Sequence, residues 1–195
     1  MLRPIRISPP AEKPVSIPEA KSAARVDTDD DDALIGGLID AAISHLDGWS
    51  GVLGRCLVNQ DWRLSLRDWP SCRFIRLPFP DVSAVTVKYF NESDTEQTVS
   101  ASFVQLLEDE LGAFIRFSDE FTFPGVFDDR GDGVRVHFTA GYGPAATDVP
   151  PSIRTAILLM VAHWYSNREA SVEGQTSEIP FGASALIAPF RRIGI

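Results

Sequence analysis

The stretch PPSIRTAILLMVAHWYSNRE, residues 150–169, decides the fold class of this chain. It opens on two prolines, which suit the first turn of a helix because the N–H that proline lacks is not needed there. Apolar side chains then recur at helical spacing, and most of the residues between them are apolar as well. Because such a helix must be buried on several sides, the stretch predicts a central helix packed among other elements.

Two more helices are predicted upstream of this one. Ser16 followed by Glu19 forms a capping-box pattern, which predicts a short helix ending near Arg25. A long amphipathic helix follows from about Asp30 to Asp47, although Gly36-Gly37 inside it costs up to about 1 kcal/mol per glycine relative to alanine. Eight apolar residues of the two long helices are expected to form helix packing or a subunit interface. They are Ile35, Leu38, Ile39, Ile43, Ile153, Ile157, Val161 and Trp164.

The middle of the chain, from Leu57 to about Tyr142, has the alternation typical of short strands separated by polar turns. Six strands are predicted, which favours an antiparallel sandwich or barrel. The predicted strands are Trp62–Leu66, Phe74–Leu77, Val85–Tyr89, Phe103–Leu107, Ala113–Phe117 and Val134–Thr139. Their aromatic residues, Phe74 and Phe117 among them, are expected to fill the core of this sandwich.

The C-terminal segment, residues 179–195, contains no acidic residue although the whole chain has a net charge of −9. An apolar, cationic tail suits insertion into a partner, because buried aromatic and arginine anchors dominate the energetics of interfaces. The alternative is that the tail folds back on its own β domain. The residues expected to dock are Phe181, Leu186, Ile187, Phe190, Arg191 and Arg192.

The sequence offers no constellation that points to catalysis, a cofactor or a metal. Cys56 and Cys72 lack the spacing of a zinc site, and the three histidines are scattered over two helices and a strand. No apolar stretch approaches the ~20 residues of a membrane span. The negative charge argues against a dedicated DNA binder, since affinity for the DNA backbone comes mainly from lysine and arginine. We therefore expect no enzyme activity, no cofactor, no metal and no membrane association.

Several segments together resemble one family. They are PVSIPEAK at 14–21, TAGYG at 139–143, VPPSI at 149–153, AHWYSNREA at 162–170, and PFGA with LIAPFR between 180 and 191. This combination resembles the head–tail connector proteins of tailed phages, also called adaptors or head-completion proteins, in the longer branch with a β-rich insertion. Similar proteins occur in prophages and gene transfer agents.

The resemblance implies an α+β fold in which N- and C-terminal helices form a connector core and an antiparallel β-sandwich or barrel-like domain is inserted between them. The expected organisation is a proline-rich extended arm at 1–14, helical core at 15–55 and 145–178, the β-rich insertion at 56–144, and a docking tail at 179–195.

The resemblance also implies a structural role in the neck of the virion, with the chain made in the cytoplasm of a bacterial host. The expected assembly is a homo-oligomeric ring, dodecameric like the portal protein above it. A tail-proximal neck protein, either a stopper or a tail terminator, would lie below, and DNA would pass through the central channel without specific binding.

Two other classes of function remain open from the sequence. The first is a β-sandwich ligand- or carbohydrate-binding module of a tail or baseplate, which an exposed aromatic platform on the sheet would favour. The second is an enzyme, which would require a deep pocket with perturbed carboxylates.

Overall fold

A computed structural model of the chain describes residues 1–167 and 180–192. These residues fold as an α+β protein with two compact units. The β unit comprises Met1–Ala11 and Asn59–Gly141, and the helical unit comprises Glu12–Val58 and Tyr142–Ile195. The elements in chain order are β1 (Ile5–Ser8), α1 (Ile17–Ala24), α2 (Asp32–Leu46), β2 (Gln60–Leu66), β3 (Phe74–Arg76), β4 (Val82–Phe90), β5 (Glu96–Thr98), β6 (Val104–Asp109), β7 (Gly112–Phe117), β8 (Val134–Ala140), α3 (Pro151–Ser166) and α4 (Phe181–Ile187).

The first three helices begin where local sequence signals place them. Ser16 caps α1, and its hydroxyl accepts a hydrogen bond from the backbone N–H of Glu19, while the Glu19 carboxylate accepts one from the Ser16 N–H. The helix ends at Arg25, which adopts the left-handed conformation with φ 58°. Pro151 occupies the first turn of α3, as the sequence predicted. These contacts satisfy donors that a helix end would otherwise leave without partners.

The helical unit is built around one aliphatic cluster to which α1, α2, α3 and α4 all contribute. Five of the eight residues predicted on the two long helices are buried in it, with at most 1% of their surface exposed, and burial of such a side chain contributes about 1.5–3 kcal/mol. These are Ile35, Ile39, Ile153, Ile157 and Val161. The other three, Leu38, Ile43 and Trp164, are half-buried and pack against the same cluster.

The β unit contains two open antiparallel sheets. Five strands follow the order β1-β2-β8-β4-β5, and three follow the order β3-β7-β6. Neither sheet closes on itself, so the barrel alternative is wrong. Aromatic side chains join the sheets, since the ring of Trp69 lies 5.4 Å from that of Tyr89 on β4 and 5.7 Å from that of Phe117 on β7.

The extended proline-rich segment expected at 1–14 contains a β-strand that the sequence did not predict. Ile5–Ser8 pairs with β2 as an edge strand, with Ile5 opposite Arg63 and Arg6 opposite Trp62. Prolines on both sides of these residues are compatible with an edge strand, because an edge leaves half of its backbone donors without sheet partners. The short polar strand β5 was likewise not predicted.

Candidate interaction surfaces

The C-terminal tail is divided between the core and the surface. Its residues 181–187 form α4, which packs against α3 and buries Ala183 and Ile187 completely. Ile187, one of the residues expected to dock, is therefore buried within the protein itself. Its side chain is enclosed by the aliphatic cluster of its own helical unit, to which α4 belongs.

The remaining tail residues face outward to different degrees. Phe181 has 89% of its surface exposed, the highest fraction of any large apolar residue in the described part of the chain. Leu186 and Phe190 are half-buried against the helical core. Arg191 is exposed, while the backbone N–H of Arg192 donates to the carbonyl of Leu53 at 3.0 Å. Among the described residues expected to dock, Phe181 and Arg191 are therefore the two that are exposed.

A second outward apolar group of the helical unit lies close to Gly182, the residue that follows Phe181. Leu159 on α3 is 41% exposed, and a Cβ placed on Gly182 would lie 3.9 Å from its Cδ1. Leu159 on α3 thus adjoins the first turn of α4, which carries the exposed Phe181. Exposed apolar side chains that adjoin in this way mark candidate protein interfaces.

Ion pairs and hydrogen bonds fasten the helices to one another. Lys21 of α1 pairs with Asp29 and Asp32, and the hydrogen bond from Lys21 lowers the pKa of Asp29. Arg154 of α3 donates to the Glu19 carboxylate and, at 2.9 Å, to the carbonyl of Pro14. The acidic run 27–32, which resembles a calcium loop only superficially, thus serves partly as an anchor for α1.

The three-stranded sheet carries an exposed apolar face. Phe74 is 46% exposed, and its ring makes an edge contact with Phe114, with centroids 6.3 Å apart. The guanidinium of Arg76 lies 5.4 Å from the centre of the Phe114 ring and forms two 2.7 Å hydrogen bonds to Asp109. Leu107 adds to this face, because it lies opposite Phe114 in the register. Phe74 was expected in the core, and that expectation is wrong.

An acidic depression of about 710 Å³ lies elsewhere on the β unit, next to Trp69. Its wall is formed mainly by the loop from Phe123 to Asp129, and the Trp69 indole N–H donates to the carbonyl of Pro124 at 2.8 Å. It is broad and open to solvent. Its acidic lining residues are Asp68, Glu92, Asp128 and Asp129.

The polar face of the five-stranded sheet is rich in paired charges. A hydrogen bond from Lys88 lowers the pKa of Glu96, and one from Arg135 lowers the pKa of Asp132. Burial, together with nearby Lys88 and Arg63, lowers the pKa of His137. Carboxylates whose pKa is lowered by neighbouring cations in this way contribute to the stability of the fold. A carboxylate that acts as a general acid instead has a raised pKa.

The described residues contain no group of three or more histidine, cysteine, aspartate or glutamate side chains placed to hold a metal ion. Among the same residues, no helix has both the length and the apolar character needed to cross a membrane. Both cysteines are free thiols, Cys56 buried and Cys72 exposed. The histidines lie on α2, α3 and β8, as predicted.

Comparison with known proteins gives a consistent structural result. No protein-family model matches the chain, and no curated protein matches it. Among solved structures, it is similar to a chain in the neck of an empty gene transfer agent particle determined with C6 symmetry, with a TM-score of 0.79 and 23% identity. It is also similar to a chain of the native gene transfer agent virion, with a TM-score of 0.76 and 22% identity. A third similar chain, in the native neck determined with C12 symmetry, has a TM-score of 0.70 and 22% identity. Each match covers 100% of this chain and 97% of the other.

The fold is therefore that of a chain found in the neck of gene transfer agent particles. The likeness spans the whole length of both chains, so it includes both the helical and the β unit. At 22–23% identity it establishes the shared fold, whereas the role of individual residues must be argued from the contacts described above.

Proposed function

We propose that this chain is a structural neck subunit of a phage-like particle, a head–tail connector that forms a ring between the portal and the tail. The observation that carries the proposal is the full-length likeness to chains in gene transfer agent necks, which were determined with six-fold and twelve-fold symmetry. The sequence resemblance to head–tail connector proteins supports the same function independently. In this ring the DNA passes through the centre without specific binding.

The outward part of the C-terminal tail is the proposed portal-docking element. Phe181 is almost fully exposed at the start of α4, and Arg191 is exposed just after α4 ends. An aromatic ring and a guanidinium are the side chains that most often dominate a protein interface. Ile187 contributes indirectly, because its burial holds α4 against α3 and thereby positions Phe181.

Substitution of Phe181 tests this docking element without removing the tail from the core. Phe181→Ser should leave the melting temperature unchanged, since the ring is exposed, and should reduce binding to purified portal rings at least tenfold. Phe74→Ser on the β unit is the matched control, because it removes another exposed phenylalanine. Normal portal binding by Phe181→Ser, or a loss confined to Phe74→Ser, would place the docking surface elsewhere.

A β-sandwich ligand-binding module is the second candidate function, favoured by the exposed Phe74 and its half-buried neighbour Phe114 on the three-stranded sheet. The surroundings of this face weaken the case for a sugar ligand. Its neighbours are Leu107 and the Arg76–Asp109 pair, so the face offers more apolar surface than free hydrogen-bonding groups. Glycan binding that is lost in Phe74→Ala would support this second function.

A further inference from the structure

The N-terminal strand is attached to the β unit by few side-chain contacts. Ile5, Arg6 and Ile7 are all exposed and Ser8 is half-buried, so the strand contributes little to the core. Its pairing with β2 shifts in register between Arg6 and Ser8. A strand that is held mainly by its backbone hydrogen bonds can leave one sheet and join an identical one at little cost.

Strand β2, with which β1 pairs, lacks the features that protect a free sheet edge. Ser65 of β2 is buried, and its carbonyl accepts a hydrogen bond from the Leu2 N–H at 2.8 Å. Gln60, also buried, has its side-chain oxygen 3.4 Å from a guanidinium nitrogen of Arg6. Without a strand beside it, β2 would expose the backbone donors and acceptors that make unprotected edges prone to pairing.

A proline-rich connection links this strand to the other unit. Residues 9–14, PPAEKP, follow β1 directly. The chain passes from the β unit to the helical unit between Ala11 and Glu12. The second half of the connection is fixed to the helical unit. The Glu12 carboxylate accepts from the Ala146 N–H, and Lys13 pairs with Asp40.

The first half of the connection, Pro9 to Ala11, is thus the segment whose direction can differ, so that β1 reaches either its own β2 or the β2 of a neighbouring copy. Prolines favour extended backbone, so the three residues 9–11 in the polyproline II conformation reach about 9 Å, at ~3.1 Å per residue. That distance allows β1 to reach a copy that is already in contact.

We propose that β1 is exchanged between neighbouring copies in the assembled ring, so that Ile5–Ser8 of each copy pairs with β2 of the next. This inference rests on the proposed ring function and names the element that links its subunits. The strand makes the same contacts in either copy, and exchange adds a covalent connection across every subunit boundary. Deletion of Met1–Ala11 would therefore weaken the ring more than it weakens the fold.

A pair of cysteines distinguishes the two pairings directly. Ile5 lies opposite Arg63, so Ile5→Cys with Arg63→Cys in a Cys72→Ser background should form a disulfide within one chain in dilute solution. In particles isolated from producing cells and oxidised with copper phenanthroline, exchange should instead give a ladder of covalent multimers on a non-reducing gel. Ser8→Cys with Asp61→Cys is a second pair near the other end of the strand.

The matched control is Asp61→Cys with Thr139→Cys, which joins β2 to β8 inside the β unit and should run as a monomer under every condition. If the particles contain the chain but both N-terminal cysteine pairs form disulfides only within single chains, the exchange is wrong and the neck function still holds. Particles that lack the chain altogether would overturn the neck function, and the exchange with it.

Discussion

The two units of this protein differ in how far aromatic side chains contribute to their cores. The core of the helical unit is a continuous aliphatic cluster supplied by helices from both ends of the chain. The β unit also buries aliphatic residues, Ile115 and Val136 among them, but it adds aromatic contacts. These include a Trp69–Phe123 stack and a Phe117–Phe121 stack, with centroids 5.1 and 5.6 Å apart. The comparison teaches that long helices can share one core by periodicity alone, whereas short strands depend on a few large rings to join their sheets.

The largest effect should come from the aromatic core of the β unit. Phe117 is fully buried and contacts Trp69, Phe121 and Phe123, so Phe117→Ala should lower the free energy of unfolding by about 3–5 kcal/mol. Urea titration followed by tryptophan fluorescence measures it. Phe74→Ala is the control and should cost less than about 1 kcal/mol, as exposed sites do. Equal effects of the two substitutions would contradict the assignment of the core.

The aliphatic core should respond almost as strongly. Ile157 is completely buried, so Ile157→Ala should cost about 2–5 kcal/mol of stability. Leu159→Ala, two residues along the same helix, removes a 41% exposed side chain and should cost about 1 kcal/mol or less. Circular dichroism at 222 nm follows both variants, and a larger cost at Leu159 would mean that the faces of α3 are misassigned.

The cap of α1 should contribute a smaller amount that depends on pH. Ser16→Ala should lower the free energy of unfolding by about 1 kcal/mol at neutral pH, because the backbone N–H of Glu19 loses its hydrogen-bond acceptor. Hydrogen bonds from Ser16, assisted by Arg154, lower the pKa of Glu19 in the folded state. This contribution is present above the unfolded pKa of about 4.3 and is lost as the pH falls through the lower folded value.

Unfolding measurements at pH 7 and pH 3 should therefore show a smaller difference between Ser16→Ala and the native chain in acid. Ser22→Ala on the same helix is the control, and it should show no such pH dependence. A difference that grows as the pH falls would contradict the role of the Ser16–Glu19 contact.

The smallest effect, and one of opposite sign, is expected on α2. A Cβ on Gly37 would meet nothing within 4 Å, so Gly37→Ala should stabilise the isolated chain by up to about 1 kcal/mol through helix propensity. Thermal melting measures the change. Gly51→Ala is the contrasting variant, because its Cβ would lie 2.3 Å from the Leu46 carbonyl oxygen, and it should destabilise the protein. Destabilisation by Gly37→Ala would contradict the open surroundings described here.

The sequence predicted the helices well because their signals are local. Capping of Ser16 by Glu19, and the aliphatic stripes of α2 and α3, each depend on residues within a few positions of one another. The strands were located for a similar reason. Alternation shows which residues share a face of a strand, but it does not show which face is buried. In β3 the buried residue is Ile75, and the larger Phe74 faces outward.

The rest could not be read from local patterns. The pairing of β1 with β2 joins residues more than fifty positions apart, and its four residues are too few for a periodic signal. In the tail, Ala183 and Ile187 are four residues apart and lie on one face of α4. That spacing indicates a packed helix, whereas the absence of acidic residues in the tail indicates docking to a partner.

The central claim is that this chain connects head to tail in the neck of a phage-like particle. The most direct measurement is electron microscopy of the particles made by producing cells from which the gene has been deleted. The account predicts DNA-filled heads and separate tails that fail to join, with joining restored by the native chain supplied in trans. Normal tailed particles in the absence of the chain would contradict it.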